Sequence, residues 1–364
     1  MNILIKSAYI IDPKSIYHNK KMDILIKNSK IDKIAKSIKP CSKKSNKNEL
    51  EYSAENLHIS PGWFDLHVNF GEPGSEEKET LLSGCNAASS GGYTGVLTMP
   101  NTKPNIDNKA MIQFIKNNTK DNIVDVFPAG NITELSQGDN IVEMHDMHKA
   151  GCIAFTDDKN SIMRNDVMKT AMLYSKDCNA LIMNYPNDIS ISGNGSMNEG
   201  NISTILGLKG IPSIAEEMMV DRDLSLCEYT NSRFHLSYLS TQNSIKKIKL
   251  AKEKGLRITT DVSLYNLFLT EDYIENFDTR YKTMPPLRTK KDTKSLIDAL
   301  NKGIIDVISS DHNPQTEENK KIEFDNAKNG IIGLETAFGI LGKYILPKTT
   351  LNKLIEVIAI NPRE

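Results

Sequence analysis

From Ile59 onward the chain repeats one rhythm: a short apolar run, a turn, then a stretch of helical periodicity. Residues 96–99 precede a helical pattern over 106–118, 153–155 precede one over 166–176, and 235–239 precede one over 242–254. Further apolar runs fall at 180–183, 257–262 and 307–310. Strands that alternate with helices pair in parallel through right-handed crossovers. About eight such units fit between residues 59 and 345, so the spacing predicts an α/β fold of the TIM (β/α)8 barrel type rather than a doubly wound sheet.

The first 58 residues read differently. Runs at 3–5, 9–11 and 22–26 cluster β-branched residues, Asp12-Pro13 and Asn28-Ser29 are turn signals, and the polar stretch 40–51 reads as a loop. Two domains are therefore expected. Residues 1–58 form the N-terminal part of a small β-sandwich, and residues 59–364 form the barrel.

Composition excludes several function classes. With 39% hydrophobic and 25% charged residues the chain can bury a large core, and a formal net charge of −1 gives no electrostatic reason to bind nucleic acid or a membrane. No apolar run approaches the roughly 20 residues of a membrane span, and Met1 leads straight into a strand pattern instead of a signal peptide. Cys41, Cys85, Cys152, Cys178 and Cys227 lie far apart without a C-x-x-C pair, which argues for reduced thiols, a cytoplasmic location and no thiolate metal site. The lysine runs at 43–47 and 246–254 read as solvated faces.

The segment Pro61-Gly-Trp-Phe-Asp-Leu-His-Val-Asn69 carries the chemistry. Residues two apart on a strand share a face, so a His-x-His at a strand end brings two imidazoles to one ion. Here the pair is His67 and Asn69. Several later segments, in order, resemble the dihydroorotases of the amidohydrolase superfamily. They are Gly71-Glu-Pro-Gly-Ser-Glu-Glu-Lys-Glu-Thr80, Met99-Pro-Asn-Thr102, Phe155-Thr-Asp-Asp158, Ser240-Thr241, Pro285-Pro-Leu-Arg288 and Ser310-Asp-His312 with Pro314. The resemblance runs from about residue 55 to Pro362 and implies a zinc-dependent barrel that interconverts N-carbamoyl-L-aspartate and L-dihydroorotate in pyrimidine biosynthesis.

Carried over residue by residue, the resemblance implies a reduced site. Asp311 keeps the position of ligand and general base, His67 that of one ligand histidine, and Asp157 or Asp158 that of the bridging carboxylate. Asn69, Tyr185 and Tyr238 stand at the other ligand positions. Asn101 keeps a substrate contact, whereas Gly71, Met284 and Gln315 replace the arginine, asparagine and histidine that hold the substrate. An amide is a weak ligand and a phenol ionises only near pH 10, so the set is expected to hold no metal, or one weakly bound divalent ion. A carboxylate without its cation is costly to bury. Tyr185 and Tyr238 are therefore expected to donate their hydroxyls towards Asp311 or Asp157.

Two readings follow. One is a dihydroorotase-like protein with little or no catalysis and a binding or stabilising role, with aspartate carbamoyltransferase as the partner that the resemblance suggests. The other is an active dihydroorotase, or a related cyclic-amide hydrolase, with an atypical mononuclear site. The resemblance also implies a homo-oligomer. Asn361-Pro-Arg-Glu364 resembles the start of a helix after which the family adds further strands, so a shortened C-terminal segment and an open sheet edge are expected. Glu216, Glu217 and Arg222 read as a structural ion pair, and His145, His148 and His235 as surface or core histidines.

Overall fold

The structure, a computed structural model, describes residues 2–39 and 49–364; Cys41, the lysine run at 43–47 and most of the 40–51 stretch lie outside the described residues. The chain divides into two compact units, Met1–Trp63 with Thr350–Glu364, and Phe64–Thr349.

In the first unit, β1 (Asn2–Ile10), β2 (Lys21–Lys27), β3 (Lys30–Ala35) and β4 (Glu49–Tyr52) lie in the order β3-β2-β1-β4, with β5 (His58–Ile59) also on β1. The runs at 3–5 and 9–11 prove to be one strand, with an irregularity between Ile5 and Ala8. Ser7 sits there at φ 53°, and its N–H turns to the Asp23 carboxylate at 2.8 Å. Residues 49–51 are strand, not loop, because β4 pairs in parallel with β1. Leu4, Leu25 and Ile38 form one apolar cluster and Ile10, Met22 and Ile24 another. Each such side chain contributes about 1.5–3 kcal/mol when fully buried.

The second unit carries a ring of parallel strands: β6 (Trp63–Val68), β7 (Tyr93–Thr98), β8 (Asp125–Pro128), β9 (Ala154–Phe155) and β10 (Leu181–Asn184). A short pair, β11 (Met197–Asn198) and β12 (Gly210–Ile211), interrupts the series before β13 (Phe234–Leu236), β14 (Ile258–Ser263) and β15 (Val307–Ser309) complete it. The pairing order is β6-β7-β8 in one sheet and β9-β10-β13-β14-β15 in the other. Parallel bridges Gly130↔Phe155 and Val68↔His312 join the two sheets at both seams. The eight strands therefore close into the TIM barrel that the strand–helix rhythm predicts. At the β6–β15 seam the buried Asp65 carboxylate accepts the His67 N–H at 3.0 Å and the Ser310 N–H at 2.9 Å, tying the first strand to the end of the last.

Phe64, Leu66, Leu97, Ala129, Ala154, Met183 and Val307, from six strands or their ends, pack into one core cluster. Helix starts are set by capping. The helix expected over 106–118 begins at Lys109, because the Asn108 side chain accepts the N–H groups of Ala110 and Met111. Thr241 caps Gln242–Glu253 in the same way. Among the described residues no helix is long and apolar enough to cross a membrane, and Cys85, Cys152, Cys178 and Cys227 are free thiols.

Candidate active site at the strand ends

The carboxyl ends of the barrel strands gather the polar residues. His67 lies near the end of β6 and is buried; its Nε2 is 2.6 Å from Asp261 Oδ2 on β14. His235 Nε2 reaches the same oxygen at 2.8 Å, while its Nδ1 meets Thr259 Oγ1 at 2.8 Å. The other Asp261 oxygen accepts the Tyr238 N–H at 3.1 Å and the Ser309 hydroxyl at 3.2 Å. Burial alone would raise the Asp261 carboxyl, but His67 and His235 hold it well below the usual carboxylate range. Burial likewise opposes charge on the His67 ring, yet Asp261, with Asp158 and Asp311 beyond it, raises the imidazole above its ordinary value.

The two adjacent aspartates after β9 have separate jobs. Asp157 accepts the N–H groups of Ile132 and Thr133 at 2.8 and 3.0 Å, together with the Thr133 hydroxyl and the Asn131 amide. It braces the loop after β8. Asp158 instead accepts the Tyr238 hydroxyl at 3.3 Å and the Asn101 amide at 2.9 Å. Of the two carboxylates left open by the motif, Asp158 is the one that meets Tyr238 and Asn101. The tyrosine arrangement differs from expectation. Tyr238 donates to Asp158, not to Asp311 or Asp157, and among the described residues Tyr185 makes no hydrogen bond to either of those two. The Tyr185 ring instead meets Tyr238 edge-on at 6.0 Å. Burial, reinforced by the neighbouring carboxylates, pushes the Tyr238 phenol far above its ordinary value, so it remains a protonated donor.

Asp311, at the end of β15, is bound by a residue that motif reasoning missed. Lys159 Nζ lies 2.6 Å from Asp311 Oδ1 and 4.6 Å from the centre of the Tyr238 ring. Burial pushes the Asp311 carboxyl up to about 6 against the pull of that ammonium. Asp158, Tyr238 and Asp311 all adopt left-handed backbone, at φ 51°, 57° and 51°. Such strain in non-glycine residues concentrates at functional sites, and an aromatic residue accepts it least readily.

The remaining positions are dispersed. Asn69 is buried with both amide atoms unpartnered among the described residues. Gly71 has no room for a side chain on this backbone, since an added Cβ would fall 2.1 Å from the Ser75 carbonyl oxygen. Met284 is half-buried, and Gln315 lines a separate cavity of 760 Å³ with Phe277, Arg280 and Lys320. The expected ion pair is differently composed. Arg222 pairs with Asp223 at 2.7 Å, while Glu216 accepts the N–H groups of Ser240 and Thr241. Arg288 is structural, donating to Asn198 Oδ1 and the Ile211 carbonyl around the β11–β12 pair.

His67, His235 and Asp261 each offer one ligand atom, all within 4.8 Å of one another, a set that could hold one metal ion. A tetrahedral zinc with donors at about 2.0 Å keeps them about 3.3 Å apart. The 2.6 and 2.8 Å separations here are hydrogen-bond lengths, so the triad takes zinc only if its side chains part. At the other ligand positions, Asn69 offers a neutral amide, Tyr238 is engaged with Asp158, and Asp311 already holds an ammonium. As placed, these donors meet one another and their neighbours through hydrogen bonds.

Comparison with known proteins agrees with the fold and the motif order. The Dihydro-orotase-like family model matches residues 57–244. The chain is 40% identical to the dihydroorotase of Thermoanaerobacter sp. (strain X514), covering all of this chain and 83% of that protein. It is 39% identical to the dihydroorotase of Geobacter sulfurreducens, covering all of this chain and 84% of the relative. Among solved structures, the L-hydantoinase (dihydropyrimidinase) of Arthrobacter aurescens superposes with a TM-score of 0.84 at 20% identity, covering 99% of this chain and 81% of that one. A D-hydantoinase from Thermus sp. gives 0.79 at 19% identity, covering 98% and 80%; at such identities the likeness is one of fold. On sequence and architecture together, the chain belongs to the dihydroorotase-like family of the amidohydrolase superfamily.

Proposed function

We propose that this chain is a dihydroorotase-like protein that retains the barrel and the pocket but opens dihydroorotate slowly or not at all, and that it serves as a binding or stabilising partner. The supporting observation is the engagement of His67. The one imidazole kept from the His-x-His pair has its Nε2 on Asp261 at 2.6 Å, and its neighbour two residues on is an amide. A bound metal would supply acidity, lowering the pKa of water from about 15.7 to about 7. This chain's own groups offer no equivalent. Asp311 is tied to Lys159, Tyr238 stays protonated, and Asp261 is occupied by four donors. What these strand ends offer a polar ligand is the exposed Asn101 amide beside Asp158.

Dihydroorotate hydrolysis by purified protein, with and without added zinc, tests the reading. Turnover above the uncatalysed rate that a chelator removes would end it. Aspartate carbamoyltransferase is the partner to try first, because the resemblance suggests it; co-purification and a change in transferase activity are the readouts. A second reading, a working mononuclear site, is favoured by the closeness of His67, His235 and Asp261. It predicts one bound metal and turnover lost in Asp261→Asn.

A further inference from the structure

We infer that the Lys159 ammonium is the resident cation of this pocket, holding Asp311 and the Tyr238 ring where the family's chemistry would put a metal ion. The inference deepens the reading of the pocket as one without a hydrolytic metal.

Three contacts carry it. Lys159 Nζ sits 2.6 Å from Asp311 Oδ1, and the pair is enclosed, with side-chain exposures of 16% and 4%. The same nitrogen lies over the Tyr238 ring at 4.6 Å, and Tyr238 in turn donates to Asp158. The ring therefore stands between the ammonium and the second carboxylate, in reach of both. A cation over an aromatic face and against a carboxylate satisfies both groups without an ion from solution.

Charge accounting points the same way. His67 and Asp261 are paired with each other, and Asp65 and Asp157 are met by backbone N–H donors, which leaves Asp158 and Asp311 as the buried acids beside the Tyr238 ring. Asp158 is met by neutral donors, Tyr238 and Asn101, and among the described residues Lys159 is the cationic side chain in direct contact with Asp311, with His67 acting on it from farther off. Because Lys159 directly follows Asp158, the turn that delivers the second acid also delivers its cation. Occupancy is exclusive. A metal bound to Asp311 Oδ1 at about 2.0–2.2 Å would crowd an ammonium 2.6 Å from the same oxygen, and like charges repel strongly in a buried site.

Thermal melting and metal analysis of the full chain test this in wild type, Lys159→Met and the double variant Lys159→Met/Asp311→Asn. Wild type is expected to melt at the same temperature in chelator and in Zn²⁺, Mn²⁺ or Mg²⁺, and to carry no stoichiometric metal. Lys159→Met is expected to melt lower and to regain stability as divalent metal is added, since a ligand bound only by the folded state raises its stability by mass action. The double variant, lacking both charges, is expected to recover most of the wild-type stability and to ignore metal. If Lys159→Met does not fold, recovery in the double variant still supports the inference and failure to recover overturns it. Metal uptake and stabilisation in wild type equal to that in Lys159→Met would also overturn it, as would a Lys159→Met protein that melts like wild type. Dihydroorotate turnover is scored separately. Metal-free turnover by wild type would remove the reading of lost hydrolysis and leave the lysine in place, while metal uptake by an inactive wild type would do the reverse.

Discussion

Asp261 Oδ2 receives His67 Nε2 at 2.6 Å across the intervening strand β15, and the two residues are 194 positions apart in the chain. Removing one partner of a buried pair leaves the other charge uncompensated, which costs about 3–5 kcal/mol. Asp261→Asn is therefore expected to lower unfolding free energy by that amount in urea titration. Loss of less than about 0.5 kcal/mol, the range of ordinary surface changes, would show that the triad is not integral to the barrel.

Asp157 and Asp158 are adjacent yet should respond unequally. Asp157→Asn leaves one oxygen for the N–H groups of Ile132 and Thr133 but turns an amide nitrogen on the Thr133 hydroxyl and removes the charge, and is expected to cost about 1.5–3 kcal/mol. Asp158→Asn, opposite one long phenol contact and one amide, should cost less than about 1 kcal/mol. Denaturation curves for the two variants check the order; equal losses would contradict the division of labour.

Asp23 gives a pH signature to the N-terminal sheet. Burial works against its charge, but the N–H groups of Ile38 and Ser7 and the Lys6 ammonium hold its carboxyl below the ordinary 3.8. A depressed folded-state value contributes stability that is fully present above the unfolded value and lost as pH falls through the folded one. Asp23→Asn should thus be less stable than wild type by about 1–3 kcal/mol near neutral pH, with the gap closing as pH falls below the ordinary carboxylate value of 3.8. A gap that stays constant with pH would contradict the assignment.

Placing an arginine at Gly71, where the family resemblance implies one, is not expected to create a carboxylate clamp. A Cβ there would fall 2.1 Å from the Ser75 carbonyl oxygen, and Ser75 N–H already bonds to the Gly71 carbonyl at 2.9 Å. Gly71→Arg should lower stability by about 1–3 kcal/mol, as overpacking does, without creating affinity for dihydroorotate. Calorimetric titration of the variant with dihydroorotate is the check.

The barrel was legible because its signal is local: each strand and helix announces itself within a dozen residues, and closure follows from their number. The β1 irregularity at Ser7 was not, since it depends on an acceptor, Asp23, that lies on the next strand. At the strand ends, the motif order located His67, Asn69, Tyr238 and Asp311 but not their partners. Lys159 meets Asp311 across 152 residues, and no spacing rule reaches that far. Faint signals existed. Asp261 is a charged residue inside the apolar run 257–262, and Lys159 is a lysine directly after two acids. His235, read as a surface or core histidine, is buried and also holds Asp261.

The Asp65 carboxylate bonds to the backbone of both His67 and Ser310, so one early side chain waits for a segment made some 245 residues later. During synthesis, β6 emerges with an acceptor whose donor at the closing seam, the Ser310 N–H, does not yet exist. The nascent ring must stay open, with an unpaired strand at each margin, until the segment around Ser310 leaves the ribosome. Such a protein depends on late, non-local pairing for its completion, which slows folding and lengthens exposure to misassembly.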